Sequence, residues 1–570
     1  MKKLIISILL LTIASFTFSQ QWGMYTIYGA QNNTITYLLD TSGTTFHTWT
    51  HLSSDRNGYS CYVLEGDTLL RSAQNSGNYF SGGGIHGTVQ KVTWDGEIVW
   101  DFTYSTYENV IHHDIYGMPN GNVLMICYDR KTSSEATQAG CDESIEIWSD
   151  KIIEVKPTGA TTGEIVWVWY LWDHFCQDYN ASKDNYVSSI SDNPQLFNIN
   201  YQPAEDLLHM NGIDYNPELD QIAFTSRRTN EFYVIDHSTT TAEAAGHTGG
   251  NSGIGGDLLY RWGNPAVYDV SGAQVFSTVH DVHWISTSHP EFANCFAVLN
   301  NQGGASGKAA CDIINPPYDG YNYTHTAGQA YLPSTYTYRE ETGKNSEGQG
   351  STEQFENGNM LLCVPSMSLT YIYEIDSEGN TLWTKNIPGS VAQAHRYEKC
   401  YVRVVSASIT PSETTITEGE SVDLNTTVLA PAESSPTYTY NWASSPEGYT
   451  GTSENPTVSP LETTTYYLTV TNDQSECTDE VFITIIVDPV SVELNTLENE
   501  ISIFPNPNDG SFRISATDDF SYTVLSSTGS QICSGKNNTE IDLSHLSEGV
   551  YYVVIETADI VKTEKLIIIK

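Results

Sequence analysis

Two short phrases recur before residue 405, and this repetition restricts the fold more than any other feature of the 570-residue chain. One is an Asn-Gly turn leading into an apolar strand: MPNGNVLMICY at 118–128 and FENGNMLLCVP at 355–365, with VLEGDTLLRSA at 63–73 as a looser copy. The other ends in tryptophan: LLDTSGTTFHTW at 38–49, QKVTWDGEIVW at 90–100, IIEVKPTGATTGEIVW at 152–167 and YEIDSEGNTLW at 373–383. Asn-Gly, Asp-Gly and Ser-Gly pairs between alternating apolar runs are the pattern of antiparallel hairpins. Each copy is too small to bury a face alone, so the copies must stack as four-stranded blades around an axis. The expectation is an all-β chain whose residues 21–404 form a β-propeller of about six blades. Long insertions are expected at 129–150, 172–205 and 303–345, where the copies degenerate, and such loops wall the pockets of propellers.

Past residue 405 the texture changes. Residues 405–489 are rich in threonine, serine and proline, alternate in polarity and carry Trp442, which predicts an immunoglobulin-like sandwich. Residues 496–570 form a third strand-rich unit. Its Phe504-Pro505-Asn506-Pro507, the Gly549-Val550-Tyr551 turn into a strand, and the lysine-and-isoleucine final strand resemble the C-terminal sorting domain of type IX secretion substrates. The resemblance implies use of the type IX machinery and a secreted or cell-surface destination. The first 20 residues, MKKLIISILLLTIASFTFSQ, read as an export signal, because the apolar run is too short for a span. No later segment approaches a membrane span.

With 69 acidic against 25 basic residues the formal charge is -44, which repels nucleic acid and anionic lipid. The acidic loops could hold structural calcium; no other cofactor is expected. An anion site in such a chain must supply its own positive charge. The ten cysteines include no CxxC and match no zinc spacing, and their pairing cannot be read from one sequence.

Fourteen of the fifteen histidines precede residue 401. Four stretches stand out: VIHHDIYGMPNGN (110–122), DLLHMNGIDYN (206–216), FTSRRTNEF (224–232) and STVHDVHW (277–284). His113, His209 and His280 each stand near the start of a blade's leading strand, the strand that lines the channel. Arg227 follows the strand QIAFTSR in the blade of His209. A guanidinium beside three imidazoles argues against a metal and for an anion with trigonal oxygens. His280 and His283, three apart, fall on opposite faces of a regular strand, so no metal clip is expected there. No phosphate-cradling GxxxxGK[ST] or GxGxxG element is present.

These stretches, with the repeated NGN and DGEIVW blades, resemble the bacterial arylsulfate sulfotransferases. The resemblance implies sulfuryl transfer from an aryl sulfate donor to a phenolic acceptor, without a nucleotide donor. Carried over by position, the sulfate-accepting histidine is His280, His113 and His209 attend the sulfuryl or phenol oxygens, and Arg227 neutralises the sulfate. His112 and Arg228 are alternates for His113 and Arg227. Val279 stands where the family more often has glutamine, and Asn300-Asn301 where it has an aspartate-asparagine element. The aromatic stretches VWVWYLWDHF (166–175) and YNYTHTAGQAYLPSTYTY (321–338) could stack phenol rings or pack blades. The competing readings are a propeller adhesin without catalysis, and a quinone- or metal-dependent propeller enzyme.

Overall fold

The computed structural model describes residues 20–75, 77–430, 435–488, 501–516, 519–558 and 560–570; the export signal expected at 1–20 lies outside them except for Gln20. Among the described residues, six four-stranded antiparallel sheets follow one another between Tyr25 and Tyr397. The leading strands are Asn57–Val63, Asn109–Gly117, Met210–Asn216, Val279–Trp284 and Ser351–Gln354 in blades two to six. Blade one takes its inner strand from the far end of the ring: Val391–Tyr397 pairs with Tyr25–Ala30, setting Ile27 opposite His395. Neighbouring leading strands contact one another around the axis.

The recurrent phrases map onto this plan. Where it occurs, the Asn-Gly phrase is a blade's inner hairpin and the tryptophan phrase its outer hairpin, as in Gly87–Val92 paired with Ile98–Thr103. The tryptophans weld blade to blade. Trp49 Nε1 donates to the Thr93 carbonyl of the next blade (3.0 Å), and Trp100 Nε1 to that of Thr162 (3.0 Å). Burying about 200 Å² per indole at about 25 cal/mol per Å² contributes on the order of 5 kcal/mol each, as an upper bound.

Polar bonds between blades complete the ring near its axis. Asp114 accepts from Ile213 N (3.2 Å), Asp214 from Trp284 N (2.8 Å), Asp281 from Thr352 N (2.8 Å) and Glu353 from Arg396 N (2.8 Å). Val63 N donates to the Tyr397 hydroxyl (3.0 Å), and Tyr62 Oη donates to Asp114 (2.7 Å). One such bond thus crosses every junction. The four carboxylates and the Tyr397 hydroxyl each satisfy a strand N–H at the channel, while the Tyr62 hydroxyl donates to Asp114.

The insertions differ from expectation at 303–345. That segment contains the third and fourth strands of blade five, Ala310–Ile314 and Tyr338–Glu341. Their sequences, ACDII and YREE, lack the Asn-Gly and tryptophan marks, so periodicity missed them. At 129–150 the chain finishes the long strand Val123–Lys131, forms the helix Ser133–Ala139 with a Thr132 capping box, and begins Ile147–Gly159.

One compact unit runs through Thr414 and takes in Val422–Val458 and Thr464–Ile485; the other comprises Thr415–Ser421, Ser459–Thr463 and Ile486–Lys570. After the ring, the first unit adds a sandwich in which Tyr438–Ser445 pairs with Thr464–Asn472. There Trp442 is 1% exposed and donates to the Ser453 carbonyl (2.8 Å). A disulfide joins Cys400 to Cys477. In the second unit, the strands Ser521–Ser526, Gly549–Glu556 and Val561–Ile568 share a sheet over a core of Phe512, Val524, Val553 and Leu566.

Candidate functional site

The leading strands are irregular where they reach one mouth of the channel. Bulges interrupt pairing between Ile111 and Ile115, between Met210 and Gly212, and between His280 and His283. His113 (φ 52°), His209 (φ 54°) and Asp281 (φ 59°) adopt left-handed backbone there. Non-glycine residues in that region cost about 1–3 kcal/mol each, and such strain gathers where side chains are re-aimed.

The bulges turn three imidazoles into one cavity of about 300 Å³. Its lining includes His113, His209, Arg227 and His280, with Gly83, Gly84 and the Glu347–Gln349 segment as walls. The His113 and His209 ring centroids are 4.5 Å apart. A side chain built on Gly348 would lie 3.4 Å from His280 Cε1 and 4.0 Å from Arg227 Nε, so that glycine is the roof over both. A Cβ on Gly84 (φ +66°) would come within 2.5 Å of the His113 ring, so only glycine fits. The four proposed site residues therefore share one cavity. The alternates do not: His112 is buried behind His113, and Arg228 Nη2 donates instead to the Gln202 carbonyl (3.3 Å).

Hydrogen bonds fix what each ring presents. Asn301 Nδ2 donates to the Gln349 carbonyl (2.5 Å) and to Ser346 Oγ (2.7 Å), which leaves its Oδ1 as an acceptor. His280 Nδ1 lies 2.7 Å from that oxygen and must carry the proton. Nε2 of His280 is left with its lone pair on the cavity side. Burial drives the His280 pKa down to about 3, more than the Asn301 bond raises it, and Arg227 and His209 add to the fall. Below its unfolded value near 6.5 this group costs stability as pH falls, because only the unfolded chain takes up the proton.

His209 Nδ1 is 2.5 Å from Asp206 Oδ2. Burial raises the Asp206 carboxyl, but the bond to His209 and its charge outweigh that and hold it below the usual carboxylate range. His113 Nδ1 is 2.8 Å from His112 Nδ1, and His112 Nε2 is 3.0 Å from Asp150 Oδ1. Burial holds both imidazoles well below their ordinary value and the Asp150 carboxyl well above its own. Arg227 forms no ion pair among the described residues, although Arg261, Arg339 and Arg396 pair with Glu231, Asp312 and Glu374. In a chain with 69 acidic residues, Arg227 thus stands with its guanidinium beside imidazoles and without a carboxylate partner among the described residues.

His283 does not join the cavity. Its Nε2 is 2.6 Å from Gln354 Oε1, in a second cavity of about 320 Å³ at the other end of the leading strands, shared with Asp281. Gln393 lies between, donating to Asp114 (3.0 Å) and Asp281 (3.4 Å). No HxxH clip forms, although the strand is bulged rather than regular. The aromatic stretches are also elsewhere: Trp167, Trp169, Tyr323 and Tyr331 pack blade cores. The cavity rim carries Pro365, Ser366 and Met367, the last 85% exposed. Sequence reasoning passed over Asp206, Asp150 and the Gly82-Gly83-Gly84 run. The run was visible as a triple glycine, whereas the two carboxylates gain meaning only from their partners.

Fold and cavity define a β-propeller whose channel mouth gathers three histidines and an arginine. The Arylsulfotransferase (ASST) family profile matches residues 18–312, more than half of the 570 residues, and the chain belongs to that family. It is a sulfotransferase. A secretion-system C-terminal sorting domain matches residues 502–570, which directs the protein by type IX secretion to the cell surface or beyond. No helix among the described residues is long and apolar enough to cross a membrane. No curated protein matches the chain. Solved structures with some similarity include a putative 6-phosphogluconolactonase from Bacteroides fragilis (10% identity, 65% of this chain and 97% of that chain, TM-score 0.32). A periplasmic gluconolactonase from Pseudomonas aeruginosa is similar at 11% identity over 65% and 98% of the two chains (TM-score 0.30). PorZ, a type IX secretion component of Porphyromonas gingivalis, is similar at 9% identity over 96% and 86% (TM-score 0.20).

Proposed function

We propose that the chain moves a sulfuryl group from an aryl sulfate ester to a phenolic acceptor through a covalent sulfohistidine at His280. One observation carries the reading. The His280 tautomer is locked by Asn301, so an unprotonated Nε2 faces a cavity that also holds an unpaired guanidinium.

The donor's sulfuryl oxygens sit against Arg227 and the Nε2 atoms of His113 and His209. His112 Nδ1 lies 2.8 Å from His113 Nδ1, and with the shared proton carried by His112 the His113 ring bears its own on Nε2 and donates it to the anion. His280 Nε2 attacks sulfur in line; the S–N bond forms as the S–O(aryl) bond breaks and the electron pair leaves on the phenolate. His209, oriented by the contact of its Nδ1 with Asp206, gives the phenolate its proton. The acceptor phenol then enters, returns a proton to His209 as its oxygen attacks sulfur, and the S–N bond breaks. A histidine of low basicity is unprotonated throughout the physiological range and is a good leaving group in this second half. Positive charge that develops on the His280 ring is met by the Asn301 oxygen. Ping-pong kinetics follow.

The test is mass spectrometry of the protein after brief exposure to 4-nitrophenyl sulfate without acceptor. A sulfuryl adduct on His280, with a burst of 4-nitrophenol, is expected. An adduct elsewhere, or unchanged turnover in His280→Ala, overturns the mechanism.

A further inference from the structure

A second convergence of imidazoles lies away from the channel. His174 closes the short turn Leu171–His174 that follows blade three's outermost strand. His247 and Asp257 belong to the segment between the helix Thr241–Ala244 and the strand Tyr260–Trp262 of blade four. That segment reads AGHTGGNSGIGGD over 245–257, a sequence with almost no side chains to hold its shape.

Two imidazoles and one carboxylate converge here. His174 is fully buried, and Asp257 is 4% exposed. His174 Nε2 is 2.8 Å from the Ala244 carbonyl, which can only accept, so Nε2 carries hydrogen. His174 Nδ1 faces Asp257 Oδ1, 2.9 Å away. His247 Nδ1 reaches the same oxygen at 2.8 Å. Trp169 holds the His174 ring by parallel stacking (5.4 Å) and anchors the loop through a bond to the Gly256 carbonyl (2.8 Å).

We propose that His174 Nδ1, His247 Nδ1 and the Asp257 carboxylate bind a divalent transition-metal ion of zinc type, which fastens the glycine-rich loop of blade four to the flank of blade three. The three ligand atoms lie within 4.8 Å of one another. Tetrahedral zinc with bonds of about 2.0–2.2 Å sets its ligands roughly 3.3–3.5 Å apart, so the nitrogen–oxygen pairs need open by only about half an ångström. The Nε2–H to carbonyl bond of His174 is the outer contact that orients metal-bound histidines. The His247 side chain, 59% exposed, leaves the fourth position to water. Two imidazoles in three ligands favour zinc over calcium, which requires an all-oxygen shell. The acidic chain draws cations to the loop at long range.

The experiment uses untagged full-length protein stripped by a chelator and titrated calorimetrically with zinc chloride, beside His247→Ala and His280→Ala. His247 is exposed, so its truncation leaves the fold intact. The expected result is one zinc per chain in wild type and in His280→Ala, with affinity at least tenfold weaker in His247→Ala. Zinc should raise the Tm of the first two and not of the third, and cobalt should give the visible absorption of a four-coordinate site only where His247 is present. Zinc binding that survives His247→Ala but is lost in His280→Ala would place the ion in the channel and overturn the proposal. Absence of zinc binding, or a preference for calcium chloride, overturns it equally.

Discussion

Asn301→Leu isolates the role of the tautomer lock. The bond from His280 Nδ1 to Asn301 Oδ1 is 2.7 Å long and both groups are buried. Removing the acceptor strands a buried N–H, at a cost of about 1–3 kcal/mol. The ring escapes most of that cost by moving its proton to Nε2, where the cavity offers water or a sulfuryl oxygen. At about 1.4 kcal/mol per factor of ten, the nucleophilic tautomer then falls from nearly the whole population to roughly one-fifth to one-hundredth of it. Rapid mixing with 4-nitrophenyl sulfate should show the first-turnover rate reduced by that factor, about 5- to 100-fold, with Tm lowered by a few degrees. Asn301 also ties down the 346–349 wall, so Ser346→Ala serves as control: it cuts one tie of Nδ2, leaves Oδ1 in place, and should stay within about twofold of wild type. Asn301→Asp keeps the acceptor but adds a charge that lifts His280 from about 3 toward neutrality. Its rate should be low near pH 6 and recover as pH rises. A wild-type first-turnover rate in Asn301→Leu would refute the reasoning.

Three further outcomes are expected. Arg227→Lys keeps the charge but loses the planar fork, so kcat/KM for aryl sulfate should fall about tenfold or more, measured by steady-state kinetics; unchanged constants would remove Arg227 from the anion seat. Burial lifts Asp281 to about 7 in the folded protein, so the fold binds a proton between about pH 4 and 7 that the unfolded chain releases. That contribution is present at low pH and lost as pH rises from about 4 through 7, with a limiting slope of about 1.4 kcal/mol per pH unit; Asp281→Asn should flatten the stability profile between about pH 4 and 7, read by denaturant titration. Opening the Cys400–Cys477 link, which spans 77 residues, should cost about 4 kcal/mol by chain entropy, seen as a lower denaturation midpoint in Cys400→Ser.

Much of the ring was legible because its hairpins repeat a turn and a tryptophan, each with a local physical cause. Blade five was harder to read, since ACDII and YREE carry neither mark and are held by pairing with strands already placed. At the cavity, the imidazoles and Arg227 could be named from their spacing at strand starts. What they present could not, because the proton on His280 is decided by Asn301, 21 residues on, and the aim of His113 by Gly84, which precedes it in another blade. Strand parity separated His280 from His283 for an inadequate reason: the strand is bulged between them, and the two rings line different cavities.

The pairing of Tyr25–Ala30 with Val391–Tyr397 carries a consequence for biogenesis. Ser390, on the cavity wall, lies immediately before that last inner strand, and Gln349 reaches it through a side-chain bond (2.7 Å). The His280 ring is therefore not enclosed until the two extremes of the propeller have met, a contact of very long sequence separation and correspondingly slow formation. Before that meeting the chain has its histidines but not the wall that Ser390 and Gln349 contribute to their cavity.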